Sequence, residues 1–196
     1  MRLFHRLRFA AALCATLSAA SCASSDPKLY TIAPQPGSPL SGTPKVVALH
    51  GVGIARYLQR SQIVRSSEGY RIAVRANDWW GEPLDAMLAR VLAEDLTQRL
   101  PQSTIYTSAG AVTGDPEATV EIELQRLDLD RDGNVLLIAQ GSVSFKHQAT
   151  PDTRRFRISQ PPPSATVEGQ VAATSTALGQ LADGIAGMLA TKPSRR

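Results

Sequence analysis

Asp128, Asp130, Asp132 and Gly133 reproduce the opening of a calcium loop, in which alternating carboxylates wrap a hard cation and glycine makes the turn. The twelfth position of such a loop should be glutamate, and here it is Ala139, inside an apolar run. The same alternating acids are what the exposed face of a strand running into an Asp-Gly turn would give, so the expectation is no metal site. Of three histidines, His5 falls in an N-terminal leader, and neither His50 nor His147 has a cysteine or carboxylate at metal-ligand spacing. No Gly-x-Ser-x-Gly elbow, phosphate loop or dinucleotide fingerprint occurs. With no nucleophile and base to name, the expectation is no catalytic residue, no cofactor and no enzyme.

The remaining reactive candidate is Cys22. Arg2, Arg6 and Arg8 make a positive n-region, and Phe9 to Ala20 is an apolar stretch too short for the roughly 20 residues a spanning helix needs. Leu17-Ser18-Ala19-Ala20-Ser21-Cys22 resembles the lipobox of bacterial lipoproteins, departing from it in Ala19, where leucine is usual. Residues 1–21 then read as a signal peptide and Cys22 as the lipid-attachment site. Ordinary secretory cleavage near Ala20 is the competing reading and would leave a free thiol. Cys14 is lost with the signal either way, so one cysteine remains and no internal disulfide can form. Each buried methylene of an acyl chain contributes about 0.8 kcal/mol, so several chains on one cysteine anchor a domain durably.

The chain holds 21 Lys+Arg against 17 Asp+Glu. Removing the three leader arginines leaves 18 against 17, and Lys192, Arg195 and Arg196 cluster in a basic tail, 192–196. The basic excess therefore sits at the two ends, and a folded basic face for nucleic acid is not expected.

The elements must be built from what lies between. Residues 22–44 are rich in Pro, Gly and Ser and read as a flexible, disordered tether after the lipid, interrupted by Leu29-Tyr30-Thr31 as a short edge strand or clip. Residues 45–191 read as a single α/β domain. Val46 to Val52, Ser61 to Arg65 and Gly69 to Arg75 predict strands, with Tyr57-Leu58 on the connection between the first two. Pro83 opens a helix whose Leu84, Leu88, Val91, Leu92, Leu96 and Leu100 recur at three- and four-residue spacing, with Asp85 and Arg99 placed to suit its dipole. Further strands are predicted at Thr104 to Thr107, from Val120 to Leu129 with a bulge near Gln125-Arg126, from Val135 to Phe145 after an Asp132-Gly133-Asn134 hairpin, and around Phe156 and Ile158. Val167 to Ala190 predicts a closing helix with Leu178, Leu181, Ile185, Met188 and Leu189 on one stripe. One mixed β-sheet with two long amphipathic helices packed on it follows.

Tyr57-Leu58-Gln59-Arg60-Ser61-Gln62-Ile63-Val64, then Trp80-Gly81-Glu82-Pro83-Leu84 at the helix head, resembles the PqiC-type (PqiC/YmbA-type) lipoproteins, the auxiliary lipoprotein components of ABC-type, MCE-associated transport systems. Ser175 to Ala186 looks like that family's closing helix and Leu29-Tyr30-Thr31 like its early clip. Departures, besides Ala19, are the extra Trp79 and Ala55-Arg56 where a Leu-Pro-like approach to the tyrosine is expected. The resemblance implies a non-catalytic adaptor. It would be lipid-anchored at the periplasmic face of the outer membrane, with Ala23 in keeping with outer-membrane sorting. It would dock on an MCE-domain tunnel protein of the inner membrane, support lipid transport and envelope integrity, and form a symmetric homo-oligomer fitted to the tube. A partner surface is expected from Tyr57, Leu58, Arg60 and Gln62 together with Trp79, Trp80 and Glu82, although a packing role for the aromatic residues and Glu82 stays open. Two other functions stay open: an activator of a periplasmic cell-wall synthase, and a domain that carries lipid itself, which requires an apolar pocket.

Overall fold

A computed structural model describes residues 26–108, 110–111 and 114–190. Alternating apolar residues build its sheet of eight strands: β1 (Lys28–Tyr30), β2 (Val46–Ile54), β3 (Gln62–Ser66), β4 (Ala73–Trp80), β5 (Thr104–Thr107), β6 (Ala118–Leu129), β7 (Val135–Phe145) and β8 (Asp152–Gln160). The order is β1-β4-β3-β6-β2-β5, with β7 on the other edge of β6 and β8 beyond it. The sheet is mixed: β2 lies parallel to β5 and β6, and β1 parallel to β4, while β3–β4, β6–β7 and β7–β8 are antiparallel. Two helices, α1 (Leu84–Arg99) and α2 (Val167–Ala190), supply the apolar layer, and the stripe residues expected from the periodicity are all buried, together with Met87. The bulge falls where the parity of β6 changes, between Leu124 and Arg126. No described helix is long and apolar enough to cross a membrane.

Two segments differ from expectation. The strand anticipated at 69–75 starts at Ala73 and runs on to Trp80, so both tryptophans end a strand rather than occupy a turn. The cause is local: Gly69 and Tyr70 both have positive φ, 61° and 63°, and the Arg71 amide donates to Glu68 O at 3.3 Å, closing a hairpin turn of the type that matches strand twist. The alternation of Tyr70, Ile72 and Val74 marks exposed side chains near the end of this β3–β4 arm, not a buried face.

The stretch anticipated as a free tether is extended, but from Lys28 to Leu40 it is laid down on the domain as a strap. β1 pairs with Asp78, Trp79 and Trp80, and Gly81 N donates to Tyr30 O at 2.8 Å. Ile32 is fully buried, Ala33 N donates to Ser175 Oγ at 3.1 Å, and Gln35 N donates to Asp95 Oδ1 at 2.7 Å. Arg99, which suits the helix dipole from the last turn of α1, is also buried. Its guanidinium donates to Gln35 O and Pro36 O in the strap, to Asp95 O in α1, and to Gly179 O and Asp183 Oδ1 in α2. A Cβ at Gly37 would overlap that guanidinium, so the strap can lie this close only with glycine there. Cys22, the signal peptide and the basic tail lie outside the described residues.

Candidate functional site

The connection from β2 to β3 is a single 3-10 turn, Arg56–Leu58, which the sequence singled out with the end of β4. Leu58 is buried in the core and fastens this turn. Tyr57 turns its hydroxyl inward, donating to Asp128 Oδ2 at 2.8 Å and accepting from Leu127 N at 3.4 Å. Burial first, then the Asp128 contact, raise the Tyr57 phenol well above its ordinary pKa. Asp128 also accepts from Ser67 Oγ and, through Oδ1, from Arg126. Its oxygens are thus occupied by protein donors. Asp130 Oδ1 is likewise taken by the amides of Asp132 and Asn134, as an Asp-Gly turn requires. The calcium-like spacing has become a tyrosine–aspartate–arginine network and a turn. Among the described residues no three His, Cys, Asp or Glu side chains converge to hold a metal ion.

Arg60, Trp80 and Glu82 do come together. They line an open cleft of about 570 Å³ with Ile54, Gln59, Ser61 and the first residues of α1. Trp80 N donates to Ser61 O at 2.8 Å, which ties the end of β4 to the start of β3 and fixes the cleft floor. Trp80 itself is mostly buried and forms an apolar wall. Arg60 is exposed, with Nε donating to Tyr57 O at 2.7 Å, so the turn aims its guanidinium. Glu82 forms an ion pair with Arg90 at 2.6 Å. Gln62 pairs with Trp79 across the β3–β4 ladder, and Trp79 Nε1 donates to Ala76 O at 3.0 Å, placing both beside the cleft rather than in its wall. The arrangement offers a cation, an acid and an aromatic surface around a recess, which suits recognition of a protein surface.

The sequence reading missed Arg99 and Asp95. Both fall on the leucine stripe of α1, and two charges four residues apart on an apolar face were the available signal. Asp95 is fully buried, with Oδ2 lacking a hydrogen-bond partner, and burial raises its pKa against the opposing pull of the Gln35 amide and Arg99. A further groove of about 690 Å³ runs between α1 and the edge strand β5, lined by Ala86, Ala89, Ala93, Ile105 and Tyr106, and it is open along its length.

In fold, the chain is similar to the crystal structure of an uncharacterized protein, with a TM-score of 0.68 at 18% identity over 83% of this chain and 98% of that one. It is similar in the same way to protein XCC0632 from Xanthomonas campestris, a DUF330 protein, with a TM-score of 0.67 at 15% identity over 82% and 93%. No curated protein matches its sequence. The family model for the ABC-type transport auxiliary lipoprotein component matches residues 29–186, from the first residues of the strap to the last turns of α2. That span takes in the clip, the cleft and the strap clamp together, and the chain belongs to the family of ABC-type transport auxiliary lipoprotein components.

Proposed function

We propose that this lipoprotein is the docking subunit of an MCE-type, Pqi-like lipid transport system. In this reading it is held at the periplasmic face of the outer membrane by acyl chains on Cys22 and binds an MCE-domain tunnel protein reaching from the inner membrane. The observation that carries the reading is the Arg60–Trp80–Glu82 cleft in a member of a transport-auxiliary family: a charged and aromatic recess open to the surface. Its walls come from the end of β2, the 55–61 connection, the end of β4 and the head of α1, so the packing of helix on sheet sets its shape. Arg60 and its neighbour Gln59 are the exposed members through which a partner is selected, and Trp80 gives the recess its apolar wall.

The test is affinity purification of the detergent-solubilised lipoprotein from its own envelope, with mass spectrometry of bound proteins and of the N-terminal peptide. An MCE protein and an acylated Cys22 are expected, with at least tenfold less MCE protein recovered by Arg60→Glu. A cell-wall synthase in its place, phospholipid retained with no protein partner, or full recovery by Arg60→Glu would overturn the docking assignment.

A further inference from the structure

The β3–β4 arm carries features that the cleft at its base does not use. Among the described residues the exposed large hydrophobic side chains are Leu29, Tyr70, Ile72 and Val74, all on this arm or on β1 beside it. Tyr70 is fully exposed and sits at the hairpin tip with φ of 63°, a conformation that an L-residue with a side chain adopts at a cost and that aims its ring away from the domain. An apolar patch of this kind on a soluble surface marks a contact site.

The topology says what that contact is. β1 lies parallel to β4, with Lys28 beside Asp78, so the chain entering β1 arrives from the tip end of the arm. Lys28 lies six positions after Cys22, and a fully extended chain over that interval spans about 20 Å. The ladder shifts register between Val74 and Trp79, so from the level of Trp79 to that of Ala73 the arm advances only as far as β3 does from Gln62 to Ser66, about 13 Å. A bilayer that receives acyl chains on Cys22 lies within about 20 Å of Lys28, a reach that takes in the tip.

We propose that the tip of the β3–β4 arm, Tyr70, Ile72 and Val74, rests in the interfacial layer of the membrane in which Cys22 is anchored. This inference rests on the lipid-anchor part of the function proposed above. Tyrosine suits that layer because its ring is apolar and its hydroxyl stays wet. The cations Arg65 and Arg131 stand beside the acids Glu68 and Asp130, so the contact is apolar in origin and only weakly dependent on salt. Trp80 and Ser61 close the root of the arm and Gly69 and Tyr70 turn its tip, so the tip and the Arg60–Trp80–Glu82 cleft occupy opposite ends of one hairpin. Seating the tip on the membrane turns the cleft away from it, toward the periplasm.

The test uses the full lipoprotein with an environment-sensitive dye on Ile72→Cys or, as the comparison, on exposed Gln59→Cys, reconstituted in phosphatidylethanolamine–phosphatidylglycerol vesicles. Quenching of the dye at 72 by brominated lipid, with the dye at 59 quenched only by aqueous iodide, is the expected result and changes less than twofold with added salt. Equal iodide access at both positions would overturn the proposal. So would protection at 72 without quenching by brominated lipid, which would mean that a protein surface or a second copy covers the tip. The mass of the N-terminal peptide reports the anchor separately. Acylated Cys22 with an aqueous tip overturns the membrane contact and leaves the anchor standing. Unmodified Cys22 with a lipid-quenched tip refutes the anchor and supports the contact.

Discussion

Arg99 joins three pieces of chain far apart in sequence, and its removal would orphan acceptors in all of them. Arg99→Met is expected to cost about 3 kcal/mol, the scale of breaking a buried charged network by deleting one partner. Denaturant unfolding would measure it, and hydrogen exchange would show residues 31–40 losing protection first. Tyr57→Phe should cost about 2 kcal/mol, because Asp128 is buried and loses one of its donors. Recovery of the partner per folded molecule should be unchanged, whereas Arg60→Glu should leave stability within about 0.5 kcal/mol and lose the partner. At the arm's tip, Tyr70→Gly should raise stability by about 1 kcal/mol by relieving positive φ, while weakening vesicle contact. Calorimetry and flotation on the same sample would read these opposed effects. These residues were only partly legible in the sequence. The tyrosine and tryptophan positions announced themselves by type, whereas Arg99 read only as a complement to the helix dipole and Asp95 drew no reading, although both fall on the leucine stripe. Their strap and α2 partners lie 60 to 84 residues away and leave no local trace.

The elements respond to pH in opposite ways. Glu68 braces the root of the arm by accepting from Arg126 and Arg131, and these partners hold its pKa below the ordinary 4.5. The folded state therefore binds that proton less readily than the unfolded one, so the stability Glu68 contributes is present above pH 4.5 and is lost as pH falls through its lowered value. Asp95 has the reverse sign: its raised pKa makes its contribution greatest in acid and diminishes it as pH rises above the ordinary 3.8. Acidification is expected to loosen the arm and to relieve the buried charge on α1, visible as falling protection factors at Ser66 and rising ones in α1 around Asp95. Glu68→Gln should abolish the first change and leave the second. Where an element has a strong local period, the sequence was sufficient: the bounds of α2, β5 and β7 and the bulge in β6 follow from their own residues. It failed for β4 because Gly69 and Tyr70 spend two residues in the turn, so a run of alternating apolar side chains began before the strand did.

At the scale of the whole molecule, the strap makes the domain a closed unit whose first described strand and two helices are sewn together, leaving five residues between Cys22 and Lys28. Lengthening that interval by ten Gly/Ser residues should leave the fold unaltered. It should also reduce lipid quenching of a label at position 72 severalfold, since the longer chain no longer holds the tip at the bilayer. The course of the strap also sets the mechanics of the domain. A pull on the chain at Lys28, directed back past the arm's tip, acts along the axis of β1. It strains the β1–β4 hydrogen bonds side by side, in shear, and only after they yield does it reach the Gln35 and Arg99 bonds. Stretched from its N-terminal end in an optical trap, the domain should resist as a brittle clasp, yielding first at β1 and then at Arg99, with the cleft still intact when the first bond breaks.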